Sequence, residues 1–244
     1  MITFRYAPEL LARYPAVAGG VLLARELTNG PTPEALRAAF VAEQQAVLAR
    51  IGDTPLSQIP ALAAWRAAFR EFGVDPTQYR SAAEALLRRL TKKGDIPSIS
   101  TLVDIGNLVS IRYALPVALF DTRAIAGTLT VRFADGTERY TTLGDAAVEH
   151  PAPGEVIFAD DAAHVHARRW CFRQSEQSAV REDTTEALVT VEAHHARART
   201  DVEAAVDDLR QLLQTYAGQV GVASILDGAH GEFGGAAPVN SEVE

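Results

Sequence analysis

The chain is short of the residues on which several functional classes depend. It has one cysteine, Cys171, in 244 residues, which excludes an intrachain disulfide and any site built from several thiolates. Lys92 and Lys93 are its only lysines, so positive charge is carried by arginine, which reads first as a compositional bias. No window approaches the ~18 consecutive apolar residues that a membrane span needs. The opening segment, residues 1–15, lacks a basic region followed by a clean apolar stretch. Cytoplasm is therefore the expected location and a membrane is not an expected partner. Phosphate-binding glycine loops of the Walker A or G-x-G-x-x-G type are missing, as is a G-x-S-x-G nucleophile elbow. No cofactor is expected.

What is present is an ordinary globular composition, 48% hydrophobic and 22% charged, enough to bury a sizeable core. The net charge of −8 argues against indiscriminate nucleic-acid binding, which requires clustered cations. The charge is unevenly distributed. Arg66, Arg70, Arg80, Arg88, Arg89, Lys92 and Lys93 fall within residues 61–95 among only four acids, whereas residues 176–208 carry nine acids and three arginines. A polyanion would approach the first region.

Hydrophobic spacing organises the first half into helices. An apolar run at residues 17–25 reads as a strand, broken by Asn29-Gly-Pro-Thr-Pro33. Thr32 is the expected N-cap of a helix that ends at Gly52. A second helix runs from Ser57 or Pro60 to Gly73, with Trp65 on its apolar face. Ser81 and Glu84 form a capping box before Leu86, Leu87 and Leu90, with Gly94 as the stop. Residues 99–113 form a fourth helix.

The period changes in the second half. Residues 128–133 alternate and lead through Asp135-Gly136 into residues 139–142, the pattern of a hairpin with a primed turn. Further strands are expected at 155–159, 164–172 and 186–193, and a helix at 200–216. This order predicts an α+β fold: helices first, then an antiparallel or mixed sheet, then a C-terminal helix. Residues 1–218 are expected as a single domain and 219–244 as an acidic, Gly/Ala-rich tail.

Candidate chemistry is sparse. Cys171, inside an expected apolar strand, reads as an inert buried thiol. His164 and His166 share a strand face and, with His150 or Asp160 and Asp161, offer a weak metal site; a solvated face is the plainer reading, and no metal is expected. Asp104, Asn107 and Ser110 thread polar groups through an apolar helix, so they either cap internal turns or line a cavity.

Three ordered segments carry a resemblance. Val103-Asp-Ile-Gly-Asn-Leu-Val109, Leu115-Pro-Val-Ala-Leu-Phe-Asp121 and Gly127-Thr-Leu-Thr-Val-Arg-Phe-Ala134 resemble, in the same order, the motifs of the B3/B4 domain. That domain is the tRNA-binding and editing module of the beta subunit of bacterial phenylalanyl-tRNA synthetase. The likeness spans roughly residues 60–215. The segments around Trp65–Tyr79 and Arg168–Arg173 are similar to the module's stand-alone relatives. The resemblance implies a B3/B4-like fold, tRNA as partner, and hydrolysis in trans of the ester of a mischarged aminoacyl-tRNA. A ligase is not implied, because a synthetase core would not fit in 244 residues. A non-catalytic module for a free amino acid is the alternative.

By motif position, Asn107 matches the family's pocket asparagine and Glu192 lies near its late pocket glutamate, so both are the implied catalytic groups. Gly106 stands for the family's threonine and Ala118 for its pocket histidine, which puts tyrosine specificity in question. Asp104, Ser110, Arg168 and Trp170 are the other expected pocket residues. Arg66, Arg70, Arg88, Arg89, Lys92 and Lys93 are the expected tRNA contacts.

Overall fold

A computed structural model describes residues 2–145 and 147–234. The chain opens with β1 (Thr3–Tyr6), α1 (Pro8–Arg13) and β2 (Ala18–Arg25), then runs through helices α2 (Glu34–Ile51), α3 (Pro60–Glu71), α4 (Ala82–Lys93) and α5 (Thr101–Tyr113). Strands follow: β3 (Val117–Asp121), β4 (Thr128–Phe133), β5 (Tyr140–Thr141), β6 (Val148–Glu149), β7 (Val156–Ala159), β8 (Val165–Arg168), β9 (Arg173–Gln174) and β10 (Ala187–Ala193). Helix α6 (Ala198–Tyr216) precedes β11 (Gln219–Leu226) and β12 (Glu232–Gly234). The architecture is α+β, as expected.

Two large sheets stack. The four-stranded sheet has the order β11-β2-β10-β3 and is antiparallel throughout. The six-stranded sheet, β12-β1-β4-β7-β8-β9, is mixed, because β1 runs parallel to β4. Val189, Val191 and Ala193 of β10 join a core built with the apolar faces of α2, α4, α5 and α6. Leu188 and Phe120 join a second core with Phe4, Leu129, Phe158 and Trp65. Strand alternation sends neighbouring residues of β10 to opposite cores. The four-stranded sheet is thus the middle layer, and its inner strands β2 and β10 are buried on both faces.

Local rules account for both ends of α4. Ser81 Oγ accepts from the Glu84 amide at 3.3 Å, and Gly94 closes α4 at φ 84°, a left-handed turn that glycine adopts without steric cost. The Glu84 side chain does not reach back as a full capping box requires; it pairs with Arg66 at 2.7 Å. Thr32 is not the cap of α2. Pro33 holds that position with extended backbone, and the Thr32 hydroxyl instead donates to Asp104 Oδ2 at 2.6 Å. A fully buried carboxylate needs donors, and this one takes the hydroxyl away from the helix.

The expected hairpin is also not formed. β4 lies between β1 and β7, and β5 pairs with β6 instead. The fully buried Glu138 carboxylate accepts from the Asp135 and Gly136 amides, each at 3.0 Å, and pairs with Arg132. The turn therefore wraps around a carboxylate and does not close a two-residue ladder. Residues 219–234, expected within a tail, supply edge strands to both sheets: β11 pairs with β2 and β12 with β1. The rest of that tail, 235–244, lies outside the described residues.

Candidate functional site

The site begins with the alternation of β10. Thr190 and Glu192 point away from α2, α4, α5 and α6 and toward the six-stranded sheet, and Glu192 is 2% exposed. The Tyr6 hydroxyl donates to Glu192 Oε1 at 2.7 Å and the Trp170 indole N–H donates to the same oxygen at 3.0 Å. Both donors use Oε1, which leaves Oε2 as the acceptor on the cavity side. Gly19 pairs with Glu192 across the sheet, and a Cβ there would stand 2.0 Å from the Tyr6 hydroxyl oxygen. Glycine at this position makes room for the phenol to reach the carboxylate.

Burial pushes the Glu192 carboxyl up to about 7, against the opposing pull of the Trp170 and Tyr6 hydrogen bonds. Burial and the adjacent carboxylate likewise raise the Tyr6 hydroxyl well above its ordinary value. Tyr6 is therefore a fixed donor, while Glu192 divides between its protonated and ionised forms near neutrality.

Glu192 borders a cavity of about 70 Å³. Pro116, Val117 and Ala118 form one wall, and Trp170, Cys171 and Phe172 another, with Thr190 beside the carboxylate and Arg173 at the margin. The Cys171 thiol is raised by burial and by the Glu192 charge, so it stays protonated. Cys171 stands in a turn after β8, not within a strand.

That turn is strained. Arg169 and Trp170 both have positive φ, 45° and 57°, a conformation costing roughly 1–2 kcal/mol for each residue with a Cβ. Surrounding bonds hold it in place: Arg168 donates from Nε and Nη2 to the two Glu155 carboxylate oxygens at 3.0 and 3.1 Å, the Arg169 amide donates to Glu155 Oε1 at 2.9 Å, and the Trp170 amide donates to the Val156 carbonyl at 2.6 Å. Behind Trp170, the His194 ring stands edge-on to Trp65 and Trp170, with centroids 4.5 and 4.6 Å away. Burial and neighbouring His195 lower His194 to about 3, so this aromatic core holds a neutral imidazole.

The structure divides the expected site residues. Glu192, Ala118 and Trp170 meet at the cavity. Arg168 lies behind it as the anchor of the turn. Asp104, Gly106, Asn107 and Ser110 ride on α5, which packs the opposite face of the middle sheet, and none of them lines the cavity. Asp104 accepts from Thr32, Ser98 and the Ile99 amide, tying two loops to the start of α5. Ser110 donates to the Leu115 carbonyl at 2.7 Å and closes the turn after α5. Gly106 lets α5 approach β3, since a Cβ there would stand 2.7 Å from Leu119 Cδ1. Asn107 is half-buried.

Sequence reasoning missed Tyr6, Thr190, Phe172 and Arg173. Thr190 was recoverable, two places before Glu192 on a strand of period two. Tyr6 carried no signal, being 186 residues from its partner.

The expected cationic contacts are partly used up. Arg66 pairs with Glu84 and Arg89 with Asp95. Among the described residues Arg70, Arg88, Lys92 and Lys93 have no carboxylate partner, and Arg88 and Lys92 line a shallow groove with Arg66 and Arg80. The start of α4 connects the two features: Ala82 lines the cavity, and Arg80 and Glu84 line the groove.

His164 and His166 do share a side. Both reach Asp160, at 3.5 and 3.2 Å. Burial works to raise the Asp160 carboxyl, but hydrogen bonds from His166 and from the Ala126 and His164 amides outweigh it and hold it below the usual range. Among the described residues no group of three or more His, Cys, Asp or Glu is placed to hold a metal ion, and no helix is long and apolar enough to cross a membrane.

Comparison with known proteins points the same way as the motif order. A family model described as the B3/4 domain matches residues 64–218. The phenylalanine–tRNA ligase beta subunit of Nocardia farcinica is 35% identical over 145 residues, 59% of this chain and 16% of that protein. Those of Chromobacterium violaceum and Shewanella oneidensis are 36% and 32% identical over 78 and 83 residues, each about a third of this chain and 10% of the relative. The chain thus spans no more than 16% of these relatives' length. An N-terminal fragment of the phenylalanyl-tRNA synthetase beta subunit from Pyrococcus horikoshii is similar in structure at TM-score 0.46 and 12% identity, covering 90% of this chain and 50% of the fragment.

Proposed function

Because the chain belongs to the B3/4 domain family, we propose that it acts on aminoacylated tRNA, hydrolysing in trans the ester that joins a misplaced amino acid to the 3′ end. The observation that carries this reading is Glu192: a buried carboxylate, held by two fixed donors, with one oxygen on a cavity. In the hydrolysis a water oxygen bonds to the ester carbonyl carbon, the bond from that carbon to the ribose oxygen breaks, and the ribose oxygen takes up a proton. Glu192 Oε2 accepts from the water or from a hydroxyl on the amino acid. With its pKa near neutrality, it matches a group that must exchange protons at working pH.

The size of the cavity supports a small substrate. A space of about 70 Å³ is roughly half of the ~150 Å³ that admits a benzene ring. Ala118 and Thr190 line it, and the proposed substrate is therefore the ester of a small amino acid, with a side chain of one to three heavy atoms or so. The groove holding Arg88 and Lys92 receives the phosphate backbone.

The alternative is a module that binds a small free amino acid without hydrolysis. Ala118, which places a methyl group where a titratable ring would stand in the resemblance, favours it. The test is to incubate the protein with correctly and incorrectly charged tRNAs and follow loss of the ester. Release from a small-amino-acid species, lost in Glu192→Gln and retained in Asn107→Ala, is the expected result. No release from any species, together with binding of a free amino acid, would replace the proposal with the alternative.

A further inference from the structure

Beside the cavity mouth the strained turn presents a second feature. Arg169 lies over the Tyr79 ring, its guanidinium carbon 3.9 Å from the centroid. The Phe172 ring stands edge-on to Tyr79 with centroids 5.2 Å apart, and Arg173 flanks it at 5.2 Å. Tyr79, Phe172 and Arg169 are half-buried and Arg173 is exposed. Among the described residues neither Arg169 nor Arg173 has a carboxylate partner, although most arginines of this acidic chain do. Phe172 and Arg173 also line the Glu192 cavity, so this surface and the cavity share an edge.

Aromatic rings and guanidinium planes, with free cations alongside, are the means by which proteins hold unstacked bases and the phosphates that carry them. The two positive-φ residues aim the pieces: Trp170 turns inward to Glu192 while Arg169 and Phe172 remain at the surface. We infer that Tyr79, Arg169, Phe172 and Arg173 form a stacking platform for the terminal nucleobase of an RNA 3′ end, with Arg173 on the adjoining phosphate. The platform rests on the proposed function in one respect: it places the end of the RNA so that an ester on its ribose lies over the cavity.

The test uses the whole chain and an uncharged RNA hairpin ending in single-stranded CCA, compared with the same hairpin carrying an abasic terminal ribose. Binding is followed by fluorescence anisotropy. Loss of the terminal base is expected to weaken binding about tenfold, within the range of one base–aromatic stack. Phe172→Leu, which keeps apolar packing against Tyr79, should abolish most of that preference, whereas Arg173→Gln, at an exposed position, should weaken binding of both RNAs by a similar factor and leave the preference in place.

Equal binding of the two RNAs by the unaltered protein, or an undiminished preference in Phe172→Leu, overturns the platform. AMP is the control for a free mononucleotide: AMP that displaces the RNA in the parent and fails to bind Phe172→Leu supports a shared base site, whereas AMP binding without any RNA binding overturns the RNA-end assignment. Deacylation that continues unchanged in Phe172→Leu would remove the platform and leave the proposed function standing. Base-dependent RNA binding through Phe172 with no deacylation would do the reverse.

Discussion

On one face of β10, Val189, Val191 and Ala193 sit in a core assembled from the apolar sides of four helices. On the other, one residue along, Glu192 meets a phenol, an indole and a cavity. The adjacent glycines of β2 show the same division. A Cβ at Gly20 would strike Val206 of α6 at 2.2 Å, and a Cβ at Gly19 would strike the Tyr6 hydroxyl at 2.0 Å. Both glycines permit close approach, but the first serves packing of a helix and the second serves delivery of a proton donor to a buried acid. A single strand pair thus separates an apolar packing face from a face that holds a buried acid, because the period of two sends alternate residues to opposite sides.

The comparison can be broken most severely on the helical face. Val191→Asp places an unpaired carboxylate where no donor waits and should cost about 4 kcal/mol or more; urea denaturation is the measurement, and loss of the folded baseline is the expected extreme. The converse change on the polar face is milder and depends on pH. With Glu192 raised to about 7 from 4.5, its ionisation adds no pH-dependent cost below pH 4.5, where both states are protonated. As pH rises toward 7 the unfolded chain ionises first and stability falls by roughly 3 kcal/mol at 1.36 kcal/mol per unit.

His194, lowered from 6.5 to about 3, has the opposite slope: its contribution is lost as pH falls below 6.5. Between pH 4.5 and 6.5 the two slopes nearly cancel in the native protein. Glu192→Gln should expose the histidine slope, so that its stability drops steadily with acidification across that window. A flat profile for the variant in denaturation series at several pH values would show that these two groups do not titrate as their burial dictates.

The glycine pair sharpens the contrast at intermediate size. Gly19→Ala and Gly20→Ala should each cost about 1–3 kcal/mol through overpacking. Only Gly19→Ala should displace Tyr6 and change both the emission of Trp170 and the pH midpoint of deacylation. The smallest effect lies away from both faces. Arg88→Gln, exposed beside the groove, should change stability by no more than about 0.5 kcal/mol while lowering the salt slope of RNA binding by roughly one.

Much of this was legible in advance. The cap at Ser81, the stop at Gly94 and the apolar stripe of α4 are short-range signals, and they appear where the spacing put them. The order of three motif segments pointed to the family. Other readings failed where a distant group intervened: Thr32 was drawn from its helix by Asp104, and the Asp135-Gly136 turn closed around Glu138. The polar residues of α5 offered two readings, internal ties or a cavity lining. Asp104 and Ser110 prove to be ties, because loops 72 residues before Asp104 and five after Ser110 needed acceptors and donors there.

By itself, the sequence determined the alternation along β10, the helical stripes, the sites of turn residues and the small size of the groups at Gly106 and Ala118. These follow from periods and propensities acting over a few residues. Only the tertiary structure decided which face of β10 received Tyr6 and Trp170, that α5 lay across the sheet from Glu192, and that Phe172 and Arg173 stood at the cavity edge. Those choices depend on how two sheets stack and on chain crossings more than a hundred residues apart, where many partners share the same local pattern and packing selects one.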